Sequence, residues 1–339
     1  MSSVIISGDT SGSVSLVAPA IAGSTTLTLP ATSGNVLTSS TNVTFSDGTV
    51  QTSAASPYVL KNRLINGAFA IDQRNAGSSQ TFTAAAAVAY TVDRWYGSCT
   101  GANITGQRVA GTSPNQYAYK FTGAASNTGT LFGQRIESFN TYDLISTTVT
   151  GSVRLSSSSI TSVTWTAYYA NTSDTFSAKT SIATGTLTIT STPTVYSFSF
   201  NAGANAGNGI AIEFSTGALT ATNTLQYENA QLEIGTSATP FERRLYDKEL
   251  ISCQRYYEVG GFFNVSYGSG GTSIGSTVKY AVVKRAAPTF TQTSTSNTNC
   301  SATPANASTG NNTESILSYR TGASGGSQYS ETWIASAEL

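Results

Sequence analysis

The strongest constraint on the fold is the alternation of apolar residues with other residues in four short runs. Apolar side chains recur at every second position in residues 117–121, 163–169, 196–200 and 210–214. Because a β-strand points successive side chains to opposite faces, this period of two predicts strands with one buried face. Gly, Asn and Ser residues separate the runs, which is typical of an antiparallel β-sandwich with polar outer faces.

The composition of the chain agrees with a β-rich fold. The 339 residues are rich in Ser and Thr, 39% are hydrophobic and 10% are aromatic. Thr, Val, Tyr and Phe favour pleated sheets, and this hydrophobic content is enough to build cores in two or three domains. The formal net charge is zero, so no attraction to nucleic acid is predicted. No apolar stretch is long enough to predict insertion into a membrane.

The absence of histidine limits the chemistry of the chain. A Ser-His-Asp triad, a Cys-His pair or a His-ligated zinc site cannot form within it. No glycine-rich loop fits a phosphate-binding or dinucleotide-binding pattern, and no cysteine pair has metal-ligand spacing. We therefore predict that the protein is not an enzyme. The fold could still assemble two carboxylates for glycoside cleavage, so hydrolysis of a polysaccharide stays open as an alternative.

The N-terminus and the cysteines predict the compartment in which the chain folds. MSSVIISGDTSG has no basic region followed by an apolar run, which argues against a secretory signal. The cysteines, Cys99, Cys253 and Cys300, are odd in number and far apart. We expect reduced thiols in a chain that folds in a cytoplasm, rather than a disulfide framework.

Residues 1–58 are predicted to form a small segment of short strands. Apolar residues alternate in 26–29, and Asp47-Gly48 is a turn signal between β-forming residues. The segment is too small and polar to bury a core alone, so it needs a partner surface such as another copy of itself. GSVSLVAPAIAGSTTLTLPATSGNVLTSS followed by VTFSDGTVQTSAA resembles the N-terminal portion of bacteriophage tail-fibre proteins. The resemblance implies a virion-attachment segment that contacts other phage tail or neck proteins.

Residues 59–241 are predicted to form the β-sandwich. Four separated motifs follow one another there: NRLINGAFAIDQRNAG, TVDRWYG, GQRIE and LQYENAQLEIGTSATPFERR, the last of which ends at residue 244. Together they resemble a jelly-roll domain of phage fibres, which is similar to carbohydrate-binding modules of the galactose-binding type. The resemblance implies an architecture like that of sugar-binding domains, with or without a working sugar site.

Residues 242–258 are predicted to form one connecting helix of about four turns. Tyr246, Leu250, Cys253 and Tyr257 are spaced by four, three and four residues and would form a single stripe. So short a helix is marginal in water, so the stripe must pack either on its own sandwich or as the trimer seam of a threefold bundle. Eight charged residues lie in the same range. We predict that they keep the other helix faces soluble.

Residues 259–339 are predicted to form a C-terminal β-rich head. GGFFNVSYGSGGTSIGSTV is dense in glycine, and the long polar run within 286–315 predicts an exposed loop. A CQRYYE helix, a RAAPTF-like phrase and a final short strand ending in AEL resemble the C-terminal heads of phage fibres. We expect this head to form the contact surface.

Aromatic residues are the natural candidates for sugar contact, because their rings stack on the apolar faces of sugars. Trp95 and Trp165 are assigned to the core instead, from their places in the sandwich patterns. The glycan-contact candidates are Tyr168, Tyr267, Tyr329 and Trp333.

A structural calcium ion is a further expectation, since related sandwiches often hold one through carbonyl oxygens and a carboxylate. Asp72 and Glu233 lie in the first and last of the four motifs and would be its ligands if they meet in space. The alternative is that both are surface or hydrogen-bonded carboxylates. No other cofactor is predicted.

Together these features predict an all-β protein with a fibre-like N-terminal segment, an antiparallel jelly-roll sandwich, one connecting helix and a β-rich head. The resemblance implies a non-enzymatic fibre subunit of a tailed bacteriophage virion that attaches to glycans of the host surface. The expected assembly is a homotrimer, made in the host cytoplasm and located in a tail or neck fibre of the virion. Two alternatives stay open: a neck or tail decoration without receptor binding, and a surface-polysaccharide depolymerase.

Overall fold

In the computed structural model of the protein, the described residues are 60–300, 305–306 and 311–339, together with four short strands nearer the N-terminus. The chain divides into two compact units, Met1–Val59 and Leu60–Leu339.

The described part of the first unit consists of two antiparallel strand pairs. They are β1 (Ser3–Ser7) with β2 (Ser13–Val17), and β3 (Val43–Thr44) with β4 (Val50–Gln51). The predicted alternation at 26–29 and the predicted Asp47-Gly48 turn lie outside the described residues.

The second unit begins with a β-sandwich of twelve strands. The strands are β5 (Gln80–Phe82), β6 (Ala89–Tyr90), β7 (Trp95–Thr100), β8 (Ile104–Ala110), β9 (Tyr117–Thr122), β10 (Gly129–Ile136), β11 (Thr148–Ser157), β12 (Ser162–Thr172), β13 (Thr175–Thr188), β14 (Thr194–Asn201), β15 (Ile210–Thr216) and β16 (Thr224–Ile234). They form two six-stranded antiparallel sheets, ordered β13-β12-β15-β10-β7-β6 and β14-β11-β16-β9-β8-β5. Short 3-10 turns lie at Ser138–Asn140, Tyr142–Leu144 and Ala204–Asn208. The predicted antiparallel sandwich of jelly-roll type is confirmed.

The four alternating runs lie in β9, β12, β14 and β15, as their period of two predicts. Their inward side chains form the core between the sheets. Phe132 stacks on both Trp95 and Tyr119, with 4.9 Å between ring centroids in each pair. Trp165 stacks on Phe198 at 4.2 Å. The assignment of Trp95 and Trp165 to the core is confirmed, since both side chains are buried.

The connecting helix α1 is shorter than predicted and spans Tyr246–Gln254. Residues 241–245 have no regular secondary structure, because their polar groups bind elsewhere. Glu242 accepts a hydrogen bond from the Asn62 N–H, and Arg244 donates one to the Asn62 carbonyl oxygen. Within the described residues, no helix has the length and apolarity needed to cross a membrane.

The predicted stripe does not lie on one free helix face. Cys253 and Tyr257 are buried in their own unit, and Tyr257 already belongs to a strand. The guanidinium carbon of Arg74 lies 3.6 Å from the centroid of the Tyr257 ring. Leu250 is half-buried and Tyr246 is exposed. The buried half of the stripe therefore packs on its own chain, which was one of the two open alternatives.

Charges of residues 242–258 join the helix region to the rest of the unit. Arg255 pairs with Glu137 of the sandwich at 3.0 Å, and Glu258 pairs with Lys284. Glu137, Glu258 and Lys284 are all buried. The prediction that these charges serve to keep helix faces soluble is wrong for these residues, because their partners lie inside the fold.

The remaining residues form a second, smaller pair of sheets, which we call the terminal block (residues 257–339). Its strands are β17 (Tyr257–Gly268), β18 (Ser273–Lys279), β19 (Thr289–Thr298), β20 (Ala305–Asn306), β21 (Glu314–Arg320) and β22 (Gly325–Ser336). The sheet orders are β17-β22-β19 and β18-β21-β20. The prediction of an exposed loop within 286–315 is wrong for β19, whose polar residues pair with β22.

The last residues of the terminal block fasten it to the sandwich. Glu338 pairs with Arg74 at 2.8 Å and with the buried Arg94. The hydroxyl of Tyr90, in β6, donates to the Leu339 carbonyl oxygen at 2.8 Å. The terminal block and the sandwich are therefore held together by ion pairs and hydrogen bonds.

Candidate functional site

A cleft of about 290 Å³ lies where β9 and β16 of the sandwich meet the segment 241–249. Its lining combines aromatic rings, amide groups and charged groups. The aromatic rings are those of Tyr117, Phe241 and Tyr246, and the amides are those of Asn62, Gln116 and Asn229. The charged groups are Glu242, Arg243, Arg244 and Glu249.

One wall is built at the start of β9. Tyr117 is the first residue of this strand and is half-buried. The guanidinium carbon of Arg108, in the neighbouring strand β8, lies 4.6 Å from the centroid of the Tyr117 ring. Such a cation over an aromatic face holds the ring in position. Gln116 is exposed beside it, and its Nε2 donates to the Tyr117 hydroxyl at 3.3 Å.

A bulge in β16 places an amide in the same wall. The register of β16 against β11 shifts between Ser152 and Arg154, and Asn229 has a left-handed φ of 48°. Asparagine tolerates this conformation better than most residues. The Nδ2 of Asn229 donates to the Asn115 side-chain oxygen at 2.7 Å, which fixes the amide.

The floor of the cleft depends on a close approach of two chain segments. Gly67 lies against β16, and the Ala230 N–H donates to the Gly67 carbonyl oxygen at 2.9 Å. A Cβ atom at Gly67 would overlap the Ala230 carbonyl oxygen. Glycine is therefore required at this position for the floor to form.

The opposite wall is a strap formed by residues 241–245. The Asn62 N–H donates to Glu242 at 2.8 Å, and Arg244 donates to the Asn62 carbonyl oxygen. These contacts hold the strap against the first residues of the sandwich. Tyr246, directly after the strap, keeps 63% of its surface exposed and lines the cleft.

Three of the four charges in the cleft form a closed network. Arg244 lies 3.6 Å from Glu242 and 3.6 Å from Glu249. Glu249 also accepts a hydrogen bond from the Asn66 N–H. Burial raises the pKa of Glu249, although the charge of Arg244 and the Asn66 hydrogen bond oppose the shift. These groups stabilise the junction between helix and sandwich.

Arg243 has a different environment. It is exposed, and it donates to the neutral Asn115 side chain at 2.5 Å. Among the described residues, no carboxylate oxygen lies within 4.0 Å of its nitrogens. Behind Asn115 lies Glu228. Burial would raise the pKa of Glu228, but hydrogen bonds from Asn115, Gln226 and Thr112 outweigh that effect and lower it.

This combination of groups is suited to binding a polar molecule that has flat apolar faces. Aromatic rings offer stacking surfaces, while the amides both donate and accept hydrogen bonds. Glu242 and Glu249 each accept a main-chain N–H and share Arg244, so both have structural partners.

The four predicted glycan-contact residues do not come together in the structure. Tyr168 is half-buried on the sandwich, with the Lys179 ammonium nitrogen 4.2 Å from its ring centroid. Tyr267 is 86% exposed on the terminal block. Tyr329 and Trp333 are 0% and 3% exposed, so neither ring offers a face to a sugar.

The burial of these two residues follows from the period of β22. Odd-numbered residues of this strand point inward, where Tyr329 stacks on Tyr319 at 5.2 Å and Trp333 on Phe290 at 5.5 Å. The surrounding Gly and Ser residues predicted a loop for Tyr329, but the alternation decides its orientation.

Sequence reasoning missed most of the cleft. Tyr246 was singled out as a seam residue, while Tyr117 was assigned only to an alternating strand. Phe241 and Arg243 belong to the last sandwich motif, but nothing in their spacing distinguishes a strap from a helix. A signal was present in the position of Tyr117, since the first residue of a strand often stays at the rim of a core.

The residues proposed as calcium ligands do not fit a metal site. Asp72 accepts hydrogen bonds from the N–H groups of Asn75 and Gly77 at 3.1 and 2.7 Å. Glu233 accepts two from Thr239, at 2.8 and 2.7 Å. Within the described residues, no group of three or more Asp, Glu, Cys or His side chains is arranged to hold a metal ion. Both carboxylates therefore act as hydrogen-bond acceptors of nearby turns.

No protein-family model matches the chain, and no curated protein matches it in sequence. Similar solved structures include two carbohydrate-binding modules. The family 11 module of Clostridium thermocellum, in complex with a β-1,3-1,4-mixed-linked tetrasaccharide, is 13% identical, with 49% of this chain and 100% of that chain covered and a TM-score of 0.31. The CBM22-1 xylan-binding domain of Paenibacillus barcinonensis is 11% identical, with 48% and 99% covered and a TM-score of 0.29.

A viral protein is also among the similar structures. The enzymatically active domain of tailspike protein 4 from bacteriophage CBA120 is 11% identical, with 51% of this chain and 21% of that chain covered and a TM-score of 0.31. At such low identities and TM-scores, none of these similarities bears on ligand, activity or source. The description of the fold rests on the strand order of this chain.

Proposed function

We propose that the protein is a non-enzymatic glycan-binding subunit and that the cleft beside the strap is its sugar site. The observation that carries this proposal is the convergence of Tyr117, Phe241 and Tyr246 with amide side chains in one recess of the sandwich. Sugar rings stack on aromatic faces, and their hydroxyl groups hydrogen-bond with amides. The volume is near the lower end for ligand pockets, about 300 Å³, so the cleft suits a short part of a glycan.

The test compares two exposed tyrosines in binding to purified bacterial surface polysaccharides. Tyr246→Ala removes a ring from the cleft, and the affinity should fall about 3- to 10-fold, the range of a lost aromatic contact. Tyr267→Ala removes a more exposed ring from the terminal block. Measured with an oligosaccharide that occupies a single site, so that avidity does not contribute, its affinity should be unchanged. If only Tyr267→Ala weakens binding, the contact surface is the terminal block and the cleft assignment is wrong.

We further assign the protein to a fibre in the tail or neck of a tailed bacteriophage virion, made in the host cytoplasm. The support is the resemblance of the N-terminal segment, the four sandwich motifs and the C-terminal phrases to phage fibres. In this assignment residues 1–58 attach to other tail or neck proteins, and the remaining residues face glycans of the host. A homotrimer would bind through three weak sites at once, which raises avidity without a strong single site.

An exposed apolar row on β17 is the surface that best supports association of copies. Val259, Phe263, Val265 and Tyr267 point outward and are exposed, and no outward position of the strand is charged. In the sheet β17-β22-β19, the twelve-residue β17 is an edge strand. A long edge strand with an apolar face favours pairing with another chain. We place the trimer contact there rather than on the helix stripe.

Light scattering after size exclusion tests the assembly. A mass near three times 35.1 kDa is expected for the full chain. Phe263→Asp should shift the mass toward the monomer, while Val195→Asp, at an exposed apolar position of the sandwich, should not. A monomeric wild-type chain would contradict the trimer and favour a virion decoration.

Two further measurements separate the alternatives. New reducing ends after incubation with host polysaccharide would show a depolymerase and contradict the non-enzymatic proposal. Binding to polysaccharide but not to whole host cells would contradict the role in host attachment and leave a decoration of the virion.

A further inference from the structure

The four charged side chains of the cleft differ in what they can offer a ligand. Arg244 is committed to Glu242 and Glu249 and also donates to a carbonyl oxygen. Arg243 is exposed, and its one hydrogen-bond partner is the neutral Asn115. It therefore carries the one positive charge in the lining that the fold does not pair, within the described residues.

We infer that the cleft selects glycans that carry an anionic group, a carboxylate or a phosphate ester, and that Arg243 binds this group. The inference rests on the proposed sugar site and names the class of its ligand. A guanidinium presents its donors as a planar fork that matches a carboxylate or phosphate with two hydrogen bonds. A neutral glycan in the same place would remove water from Arg243 without supplying such an acceptor.

The geometry allows one sugar residue to use both a ring and the charge. The guanidinium carbon of Arg243 lies 5.8 Å from the centroid of Phe241. The guanidinium lies over this ring, so a sugar that contacts the edge or the free face of Phe241 can present a substituent to it. An acidic sugar would satisfy both groups at once, which is how stacking and charge select a ligand together.

The carboxylates near the cleft contact other arginines rather than Arg243. Glu242 and Glu249 share Arg244, and burial raises the pKa of Glu249. Glu228 lies behind Asn115, accepts its amide at 2.5 Å and pairs with Arg154 at 3.3 Å. Each of these carboxylates already has a cationic partner.

The experiment is calorimetric titration of the full chain with three probes. They are a trimer of galacturonate, the same trisaccharide after reduction of its carboxylates to hydroxyls, and a phosphorylated disaccharide. The variants are Arg243→Gln, Arg243→Lys and Lys279→Gln. Lys279 is exposed on the terminal block and does not line the cleft, so its replacement removes the same charge outside the proposed site.

At low salt the wild type should bind an anionic probe about tenfold or more tightly than the reduced trisaccharide, because charge-assisted hydrogen bonds are the strong ones. Arg243→Gln should bring this ratio near one, Arg243→Lys should restore part of it, and Lys279→Gln should leave it unchanged. A preference for the phosphorylated probe alone would identify the group as a phosphate ester. A preference for the galacturonate trimer alone would identify a carboxylate.

Equal binding of charged and reduced trisaccharides would overturn the inference and leave the sugar site intact. A preference that persists in Arg243→Gln would also overturn it, since another cation would then be responsible. No binding of either anionic probe at about 10 mM, a very weak affinity, would reject the anionic class. The polysaccharide test with Tyr246→Ala decides separately whether the cleft binds sugar at all.

Discussion

In the sandwich the large rings meet one another between two sheets, whereas in the terminal block several large apolar side chains face solvent. Trp95, Tyr119 and Phe132 are buried and stacked. The outward row of β17 is exposed, and its inward side carries the polar Asn264 and Ser266. The inward side also carries Phe262, which packs on the core of the block, so both faces of β17 bear apolar side chains, as expected for a strand whose outer face another molecule covers.

The two regions also differ in how buried carboxylates are satisfied. Glu213 of the sandwich accepts the Tyr96 hydroxyl at 2.7 Å and pairs with Lys179. In the terminal block Glu331 accepts the Tyr329 hydroxyl, but among the described residues its other oxygen is buried without a partner. Glu331 is thus buried at a cost that Glu213 avoids.

The largest difference in stability between the two regions is expected when one phenylalanine of each is replaced by alanine. Phe132→Ala leaves a cavity among stacked rings and should lower the free energy of unfolding by about 3–5 kcal/mol. Phe263→Ala removes a ring that is 63% exposed in the single chain, and in the dissociated monomer it should change the free energy of unfolding by less than about 0.5 kcal/mol. Urea unfolding of both variants measures the difference. Equal losses would show that β17 is packed in the chain in solution.

A smaller loss of stability is expected when a contact between the sandwich and the terminal block is broken. Arg94 is buried, its guanidinium carbon lies 3.5 Å from the centroid of the Tyr256 ring, and it pairs with Glu338. Arg94→Met should cost about 2–3 kcal/mol, because Glu338 loses one of its two arginine partners and keeps Arg74. Hydrogen exchange should become faster in β17 and β22 and stay slow in β10 and β11.

The matched control for Arg94 is an ion pair nearer the surface, in which Asp143 is exposed and Arg63 is half-buried. Arg63 contacts Asp143 at 2.5 Å, and Arg63→Met should cost less than about 1 kcal/mol, as is usual for surface pairs. If Arg94→Met speeds exchange equally in both regions, the terminal block does not open as a separate unit.

The smallest predicted effects are opposite responses to pH. Burial raises the pKa of Glu331 above 4.5, although the Tyr329 hydrogen bond opposes the shift. The folded state then holds this proton to higher pH than the unfolded state, so stability falls as pH rises from 4.5 through the raised pKa. Glu331→Gln should remove this fall and stabilise the protein at pH 7.

Glu228 should show the reverse sign. Burial opposes its ionisation, but hydrogen bonds outweigh burial and lower its pKa below 4.5, so its contribution is present above 4.5 and is lost as pH falls through the lowered value. Glu228→Gln should therefore destabilise the protein at neutral pH. Urea midpoints between about pH 4 and 8 measure both variants. Parallel pH profiles for the two variants would contradict this distinction between the regions.

The parts of the fold that follow from local pattern could be predicted from the sequence. The alternation in 163–169 and 196–200 identified strands, because a strand with one buried face has an apolar residue at every second position. The same rule applied to β22 would have placed Tyr329 inside. β19 could not be recognised from its polar Ser and Thr residues, because what makes it a strand is its pairing with β22.

The cleft could not be predicted because its parts are distant in sequence. Tyr117, Asn229 and Phe241 meet only when the sheets form. The strap departs from the helical pattern because Glu242 binds the N–H of Asn62, 180 residues earlier. Contacts between residues so distant in sequence override local helix propensity, and they cannot be predicted from the periodicity of 242–258.

The most direct test of the central claim is to map chemical shifts of the full chain during titration with an oligosaccharide released from the bound polysaccharide. The account predicts that the largest shifts occur at Gln116, Tyr117, Phe241 and Tyr246, around the cleft. Shifts confined to the terminal block around Tyr267, or no shifts from an oligosaccharide that competes with the polysaccharide for the protein, would contradict the cleft as the glycan site.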